Sequence, residues 1–292
     1  MPLVVDVETV TGGVILEIRD ETRHVDDGHV VRIGEWANYR RAVDDAELIE
    51  VLVATVAEIR LVLDGIDDWR RPGERDDQYG LDLVADAAAI RVLTGAGLGV
   101  LSEESGRHHP DREICVVVDP VDGSTNASRG IPHYATSVAA VDVDGVRAAV
   151  VVNQATGVRY DAVRGGGSRK DGAAISVAAP TTMGESLIAM NGHAPSHFGW
   201  GQYRAFGAAA LDLCFVAEGA ADGYLDCTGS NHGVWDYLGG LLIVQEAGGV
   251  MTDVDDRELC VLEHSARRAP VAASSPELHA AMLAARRSFG VD

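Results

Sequence analysis

The stretch Asp119-Pro120-Val121-Asp122-Gly123-Ser124-Thr125-Asn126 follows an apolar, β-branched run from Ile114 to Val118. Such a run, bounded by turn residues, predicts a buried strand that gives way to a loop at Asp119. Asp119 and Asp122 are separated by a restricting proline and by Val121, whose carbonyl can turn inward with them. Two carboxylates and a backbone oxygen so close together suit a hard cation such as magnesium. Gly123-Ser124-Thr125 adds backbone N–H groups and hydroxyls, which suit a phosphate. The plainer reading is an Asp-Pro turn followed by an Asp-Gly turn, and the rest of the chain decides between the two.

At 292 residues and 47% hydrophobic, the chain can bury a full core, as one large domain or two closely packed halves. No apolar run reaches the roughly 18 residues of a membrane span. Asp6, Glu8 and Glu17 stand where a signal peptide would be basic and then apolar, so a cytoplasmic protein is expected. Cys115, Cys214, Cys227 and Cys260 lie far apart without a C-x-x-C pair, which indicates reduced thiols rather than a zinc site or a disulfide framework. The net charge of −21 argues against nucleic acid as a partner. It also means that an anionic substrate would need metal ions as mediators.

Outward from the central stretch, residues 1–34 read as a β-rich extension: Val4, Val5, Val7 and Val10 lead to Gly12-Gly13, Val14, Leu16 and Ile18 alternate with polar neighbours, and Asp27-Gly28 makes a second turn. Ile49, Leu52, Val53, Val56, Ile59 and Leu63 repeat with helical period over about 44–63. Asp64 to Tyr79, polar and carrying Pro72 and Gly73, reads as a mobile loop. A second helix is expected from about Asp82 to Leu93, with Asp86 near its start. The short strand Leu98 to Leu101 is followed by Ser102-Glu103-Glu104-Ser105. Pairing of that strand with the one ending at Val118 would carry Glu103 to the cation of Asp119.

Residues 135–163 predict an antiparallel meander, and Gly165-Gly166-Gly167 the end of a hairpin. A strand at Ser186 to Met190, a helix near Gly207 to Glu218 and a turn and strand over Asp222 to Asp226 follow. Trp235-Asp236 then precedes the helical face of Tyr237, Leu238, Leu241 and Leu242, with Asp236 where an N-cap belongs. The division expected is an extension over 1–34, an α+β half over 35–180 and an α/β half over 181–292.

Taken together, Asp82-Leu83-Val84-Ala85-Asp86, Ser102-Glu103-Glu104-Ser105, the stretch at 119–126, Arg204 to Leu211, and Trp235-Asp236 through Glu246-Ala247-Gly248-Gly249 resemble the inositol monophosphatase family of magnesium-dependent, lithium-sensitive phosphatases. The resemblance spans about residues 40–275 and rests on the order, content and spacing of all five motifs. It implies a layered α/β/α/β/α sandwich. It implies that Glu103, Asp119, the Val121 carbonyl, Asp122 and Asp236 hold two or three magnesium ions, with manganese as the alternative. Ser124 and Asp86 would orient and deprotonate the attacking water, and Gly123 and Ser124 would donate backbone N–H groups to the phosphate. Gly207, Ala208 and Asp226 would border the substrate.

Four carboxylates and a phosphate monoester carrying roughly two negative charges repel one another strongly, and three divalent cations cancel the sum. The function expected is hydrolysis of a small phosphate monoester, such as an inositol or sugar phosphate. A nucleotide 3′-phosphate, a fructose bisphosphate or histidinol phosphate is the alternative, and a non-catalytic, metal-binding regulatory relative is the reading from another class. The lysine that the family often carries before the Asp86 helix is missing, with Asp76, Asp77 and Gln78 in that region. Relatives are often dimers, which makes a homodimer a further expectation.

Overall fold

The computed structural model describes residues 4–10, 13–19, 30–32, 43–74 and 78–289. Strands β1 (Val4–Val10), β2 (Gly13–Arg19) and β3 (Val30–Arg32) form an antiparallel sheet, with Val10 paired to Gly13 as the expected hairpin requires. The Asp27-Gly28 turn, and Asp76 and Asp77, lie outside the described residues.

Helix α1 (Asp45–Asp64) starts on a capping box in which Asp44 Oδ1 accepts from Glu47 N at 2.9 Å and Glu47 Oε2 from Asp44 N at 3.2 Å. Its fully apolar side is Leu48, Val51, Leu52, Val56, Ile59 and Leu63, while the predicted Ile49 and Val53 lie only partly covered at its edge. Helix α2 is Gly80–Gly95, starting two residues before the predicted Asp82. Strands β4 (Gly99–Ser102), β5 (Gly106–His108), β6 (Cys115–Asp122), β7 (Ala135–Asp142), β8 (Gly145–Asn153), β9 (Arg159–Val163), β10 (Gly167–Lys170) and β11 (Ala173–Ile175) make one sheet in the order β11-β10-β9-β8-β7-β6-β4-β5. The meander is present as β7, β8 and β9, and Gly165 to Gly167 closes the β9–β10 hairpin.

The second sheet of the layered body, in the order β13-β12-β14-β16-β15, contains β12 (Leu187–Asn191), β13 (Gln202–Arg204), β14 (Gly223–Asp226), β15 (Val250–Asp253) and β16 (Pro270–Ala273). Helices α4 (Ala209–Ala217) and α5 (Val234–Glu246) lie between the two sheets; the short α3 (Ser124–Arg129) follows β6, and α6 (Pro276–Arg287) packs outside the second sheet.

Among the described residues, three apolar cores hold these layers together. Leu52, Ile59, Ala85 and Leu93 of α1 and α2 pack on Val100, Val116, Val118 and Val150. Leu101, Val117 and Val151, on the other face of that sheet, meet Leu213, Tyr237 and Leu241, which in turn meet Ala189, Tyr224 and Ala272 of the second sheet. Beyond it, Ile188, Leu225 and Val271 are covered by Leu278 and Met282. The result is the α/β/α/β/α sandwich expected. Strand β6 is buried at every residue because helices cover both its faces, which is why it reads as a continuous apolar run rather than an alternation. Among the described residues no helix is long and apolar enough to cross a membrane, and all four cysteines are free.

Candidate active site

Strand β6 does not stop at Val118: it continues to Asp122, and its register against β7 shifts between Asp119 and Asp122. A bulge of this kind re-aims side chains at a sheet rim, and here both aspartates are delivered into one cleft of about 110 Å3. Parallel pairing of β4 with β6 sets Ser102 beside Val118, and Glu103 N donates to Val118 O at 3.1 Å. Glu103 therefore reaches the same cleft, as the strand order anticipated.

Asp236 arrives from the far half of the chain. It is not the N-cap of α5; that position is Gly233, and Asp236 lies in the first turn with its N–H donating to Gly233 O at 3.2 Å. The helix begins earlier than Trp235-Asp236 suggested because Val234 and Trp235 are themselves buried helical residues. The corner is held by His264, whose ring packs on Trp235 at 4.7 Å while its Nε2 meets Glu103 O at 3.1 Å.

One ligand oxygen from each of Asp119, Asp122 and Asp236 lies within 4.8 Å of the others. Asp122 Oδ2 accepts from Ala210 N at 2.7 Å, at the start of α4. Asp119 is 1% exposed, and its Oδ1 is buried without a hydrogen-bond partner. Burial first, then the charges of Glu103, Asp122 and Asp236, push the Asp119 carboxyl well above the usual carboxylate range. Burial and Asp236 raise Asp122 in the same way, against the opposing Ala210 bond, and burial, Asp236 and Glu104 raise Glu103. A buried, orphaned carboxylate oxygen amid converging oxygen donors fits a hard divalent cation.

Acids whose folded pKa is raised contribute stability that is fully present below their unfolded pKa and lost as pH rises through the folded one. The metal-free protein should therefore lose thermal stability from about pH 4 upward through these raised values. The gain in Tm on adding magnesium should grow over the same range, a trend that calorimetry across pH checks directly.

Gly123 and Ser124 also line the cleft. Gly123 sits at φ 82°, and a Cβ there would come within 3.0 Å of Gly207 O and 3.1 Å of Ala208 Cβ. Gly123→Ala should cost about 1–3 kcal/mol in chemical denaturation and misplace the start of α3.

The structure corrects the expectation for Asp86. Because α2 begins at Gly80, Asp82 is its third residue, with Oδ2 accepting from Tyr79 N at 2.8 Å, and Asp82 rather than Asp86 lines the cleft. Asp86, one turn further along, is buried and accepts from Ser102 Oγ at 2.5 Å. Glu104 lines the cleft as well and accepts from Gln78 Nε2. The signal for Asp82 was present in the sequence, since an acid three residues after an N-cap is a helix-start mark.

Asp226 is corrected too. It is 0% exposed, and its carboxylate accepts from Thr228 N at 3.0 Å, Thr228 Oγ1 at 2.8 Å and Asn191 Nδ2 at 3.1 Å, so it anchors a turn and is closed to substrate. Ala208 is 1% exposed and fills the space beside Gly123, whereas Gly207 remains exposed next to the Asn126 side chain. Ala208 is thus a packing residue.

His232 was missed by sequence reasoning. Its Nδ1 lies 3.2 Å from Asp236 Oδ2, and its Nε2 lies 2.9 Å from Tyr224 Oη and 3.0 Å from Asn191 Nδ2. Burial opposes its charge, but the Asp236 hydrogen bond and the neighbouring Asp226 and Asp122 charges outweigh it and raise its pKa to about 9. It braces Asp236 in the manner of a residue behind a metal ligand.

Comparison with known proteins agrees with this geometry. The model of the inositol monophosphatase family matches residues 94–290. A fructose-1,6-bisphosphatase/inositol-1-monophosphatase of Methanothermobacter thermautotrophicus is 34% identical over 230 residues, 68% of this chain and 79% of that protein. An inositol-1-monophosphatase of Caulobacter vibrioides is 30% identical over 232 residues, 73% of this chain and 88% of that protein. Among solved structures, a hypothetical protein of Pyrococcus horikoshii with similarities to inositol-1 monophosphatase superposes with a TM-score of 0.74 at 25% identity, covering 84% of this chain and 99% of that one. Fold and cleft are those of a metal-dependent phosphatase of small phosphate esters. The chain belongs to the inositol monophosphatase family.

Proposed function

We propose that the chain hydrolyses the phosphate monoester of a small polyol or sugar, with magnesium as its ion, by direct attack of water and without a covalent phosphoenzyme. The observation that carries this reading is the convergence of Asp119, Asp122 and Asp236 around an Asp119 oxygen that has no partner. Glu103, Asp119, Asp122, Asp236 and the Val121 carbonyl would hold two or three divalent cations; when bound, these neutralise the phosphate and the leaving oxygen.

The rest falls to the chain itself. Backbone N–H groups at Gly123 and Ser124, where α3 begins, bind phosphate oxygens. The Asp82 carboxylate accepts a proton from the attacking water, which the Ser124 hydroxyl orients. The new P–O bond forms as the ester P–O bond breaks, the departing alkoxide takes a proton from solvent water, and Asp82 returns its own proton to solvent. His232 and His264 keep Asp236 and Glu103 in place.

The names of the relatives, inositol-1-monophosphatase and fructose-1,6-bisphosphatase, support a polyol or sugar ester. The net charge of −21 supports a small-molecule partner in preference to nucleic acid, and a cytoplasmic location belongs to the same reading. A panel of phosphate esters assayed with magnesium tests it: inositol or sugar phosphates should be turned over fastest, and lithium at millimolar concentration should inhibit. Preference for nucleotide phosphates would overturn the substrate class, and no turnover of any ester would favour a regulatory protein.

A further inference from the structure

Outside the residues that line the catalytic cleft, α4 carries a buried aspartate that the phosphatase reading does not use. Asp212 Oδ1 meets His133 Nε2 at 2.8 Å, and the two side chains are 1% and 12% exposed. Their surroundings are apolar. The His133 ring packs on Phe206 and Phe215 at 5.1 and 5.4 Å, and Leu211, Leu213 and Val216 of α4 are buried. Replacing such a pair by apolar residues of similar volume is often neutral or stabilising, so stability alone does not account for it. The best-attested use of buried polar groups is to fix one register among several.

The register at stake is that of α4. Its first backbone N–H groups have no partners within the helix, and Ala208, the N-cap, has no side-chain oxygen to offer them. A carboxylate from another element takes that part: Asp122 Oδ2, on β6, accepts from Ala210 N at 2.7 Å. That bond lasts only while the first turn of α4 keeps its place against the end of β6. Apolar contact is non-directional and lets a helix slide, whereas a hydrogen bond has a set length and angle. Asp212, in the same first turn as Ala210, supplies the directional tie. Its partner is anchored as well, because Asn126 Nδ2 donates to His133 O and to Phe206 O, both at 2.8 Å.

We propose that the His133–Asp212 pair positions Asp122: it sets the first turn of α4 so that Ala210 N–H holds Asp122 Oδ2 and the other Asp122 oxygen stays turned to the cation. This rests on the reading of Asp122 as a cation ligand and adds two positioning residues, neither of which touches cation or substrate. Groups that orient a metal ligand from behind are typically worth about 10–100-fold in metal affinity.

Calorimetric titration of the full, metal-free chain with magnesium tests it. In His133→Phe/Asp212→Ala the larger ring takes up the space of the lost carboxyl. This double variant should melt no lower than the parent without metal, yet bind magnesium about tenfold more weakly. Asp212→Asn keeps an oxygen within reach of His133 and should bind within about threefold of the parent. If the double variant does not fold, Asp212→Ser, too short to reach His133, carries the same expectation for magnesium. A Kd within about twofold of the parent's in the variant lacking the pair overturns the proposal, and so does an equal loss in Asp212→Asn. A parent that binds no magnesium removes the metal site and this proposal with it, whereas binding unchanged between parent and variant removes the proposal alone.

Discussion

Asp119→Asn should lower phosphate release in the presence of magnesium by on the order of 10³-fold or more, while the metal-free variant melts no lower than the metal-free parent. The two halves of this prediction share one cause. Asp119 is buried, leaves one oxygen without a partner and faces Glu103, Asp122 and Asp236. In the absence of metal its charge is a liability, so a neutral amide of the same shape relieves repulsion. In the presence of metal the same charge is the attraction, so the magnesium-induced rise in Tm should shrink or vanish in the variant. Turnover assays and paired melts with and without magnesium read both effects. Near-normal turnover, or an undiminished magnesium shift, would remove Asp119 from the proposed ligand set.

The second large effect separates Asp82 from Asp86. Asp82→Asn should cut kcat by about 10²–10⁴-fold, the usual worth of a positioned general base, with a smaller change in KM. Asp86→Asn should instead act mainly on stability, because Asp86 is buried, one helical turn away, and occupied with the Ser102 hydroxyl. Asparagine still offers an oxygen to the Ser102 hydroxyl, so the change from a charge-assisted to a neutral hydrogen bond is worth on the order of 1 kcal/mol. The assay that matters is kcat for both variants under saturating magnesium, alongside denaturant melts. If Asp86→Asn loses as much kcat as Asp82→Asn, the assignment drawn from the start of α2 is wrong.

The start of α2 is a place where local sequence pattern underdetermines the site. The helix was expected over about Asp82 to Leu93, but an acid's role there depends on which residue takes the first turn, and boundaries are where periodicity says least. The helix starts at Gly80, which puts Asp82 in its first turn beside the cleft and Asp86 one turn behind it. Asp226 shows a different limit. The family resemblance implied a substrate contact, yet Thr228, two residues on, and Asn191, from the adjoining strand β12, donate to its buried carboxylate. Only the second of these partners is remote in sequence, and strand pairing alone brings it there. His232 gave no spacing signal because its partner Asp236 acquires meaning only once Asp236 itself faces the cleft.

By itself the sequence determined the main helices, the buried strand before Asp119 and the meander, since strand and helix periods report which faces are apolar without reference to distant residues; the layered order and the set of acids for metal came from the resemblance of its five motifs to a known family. The tertiary structure decided which of those acids share a cleft. It did so through the bulge that re-aims Asp119 and Asp122, the parallel β4–β6 register that delivers Glu103, and the His264 contact that ties Glu103 to the Trp235 corner beside Asp236. Convergence of charges from residues 82 to 236 is a property of packing between layers, and no local pattern along a chain encodes it.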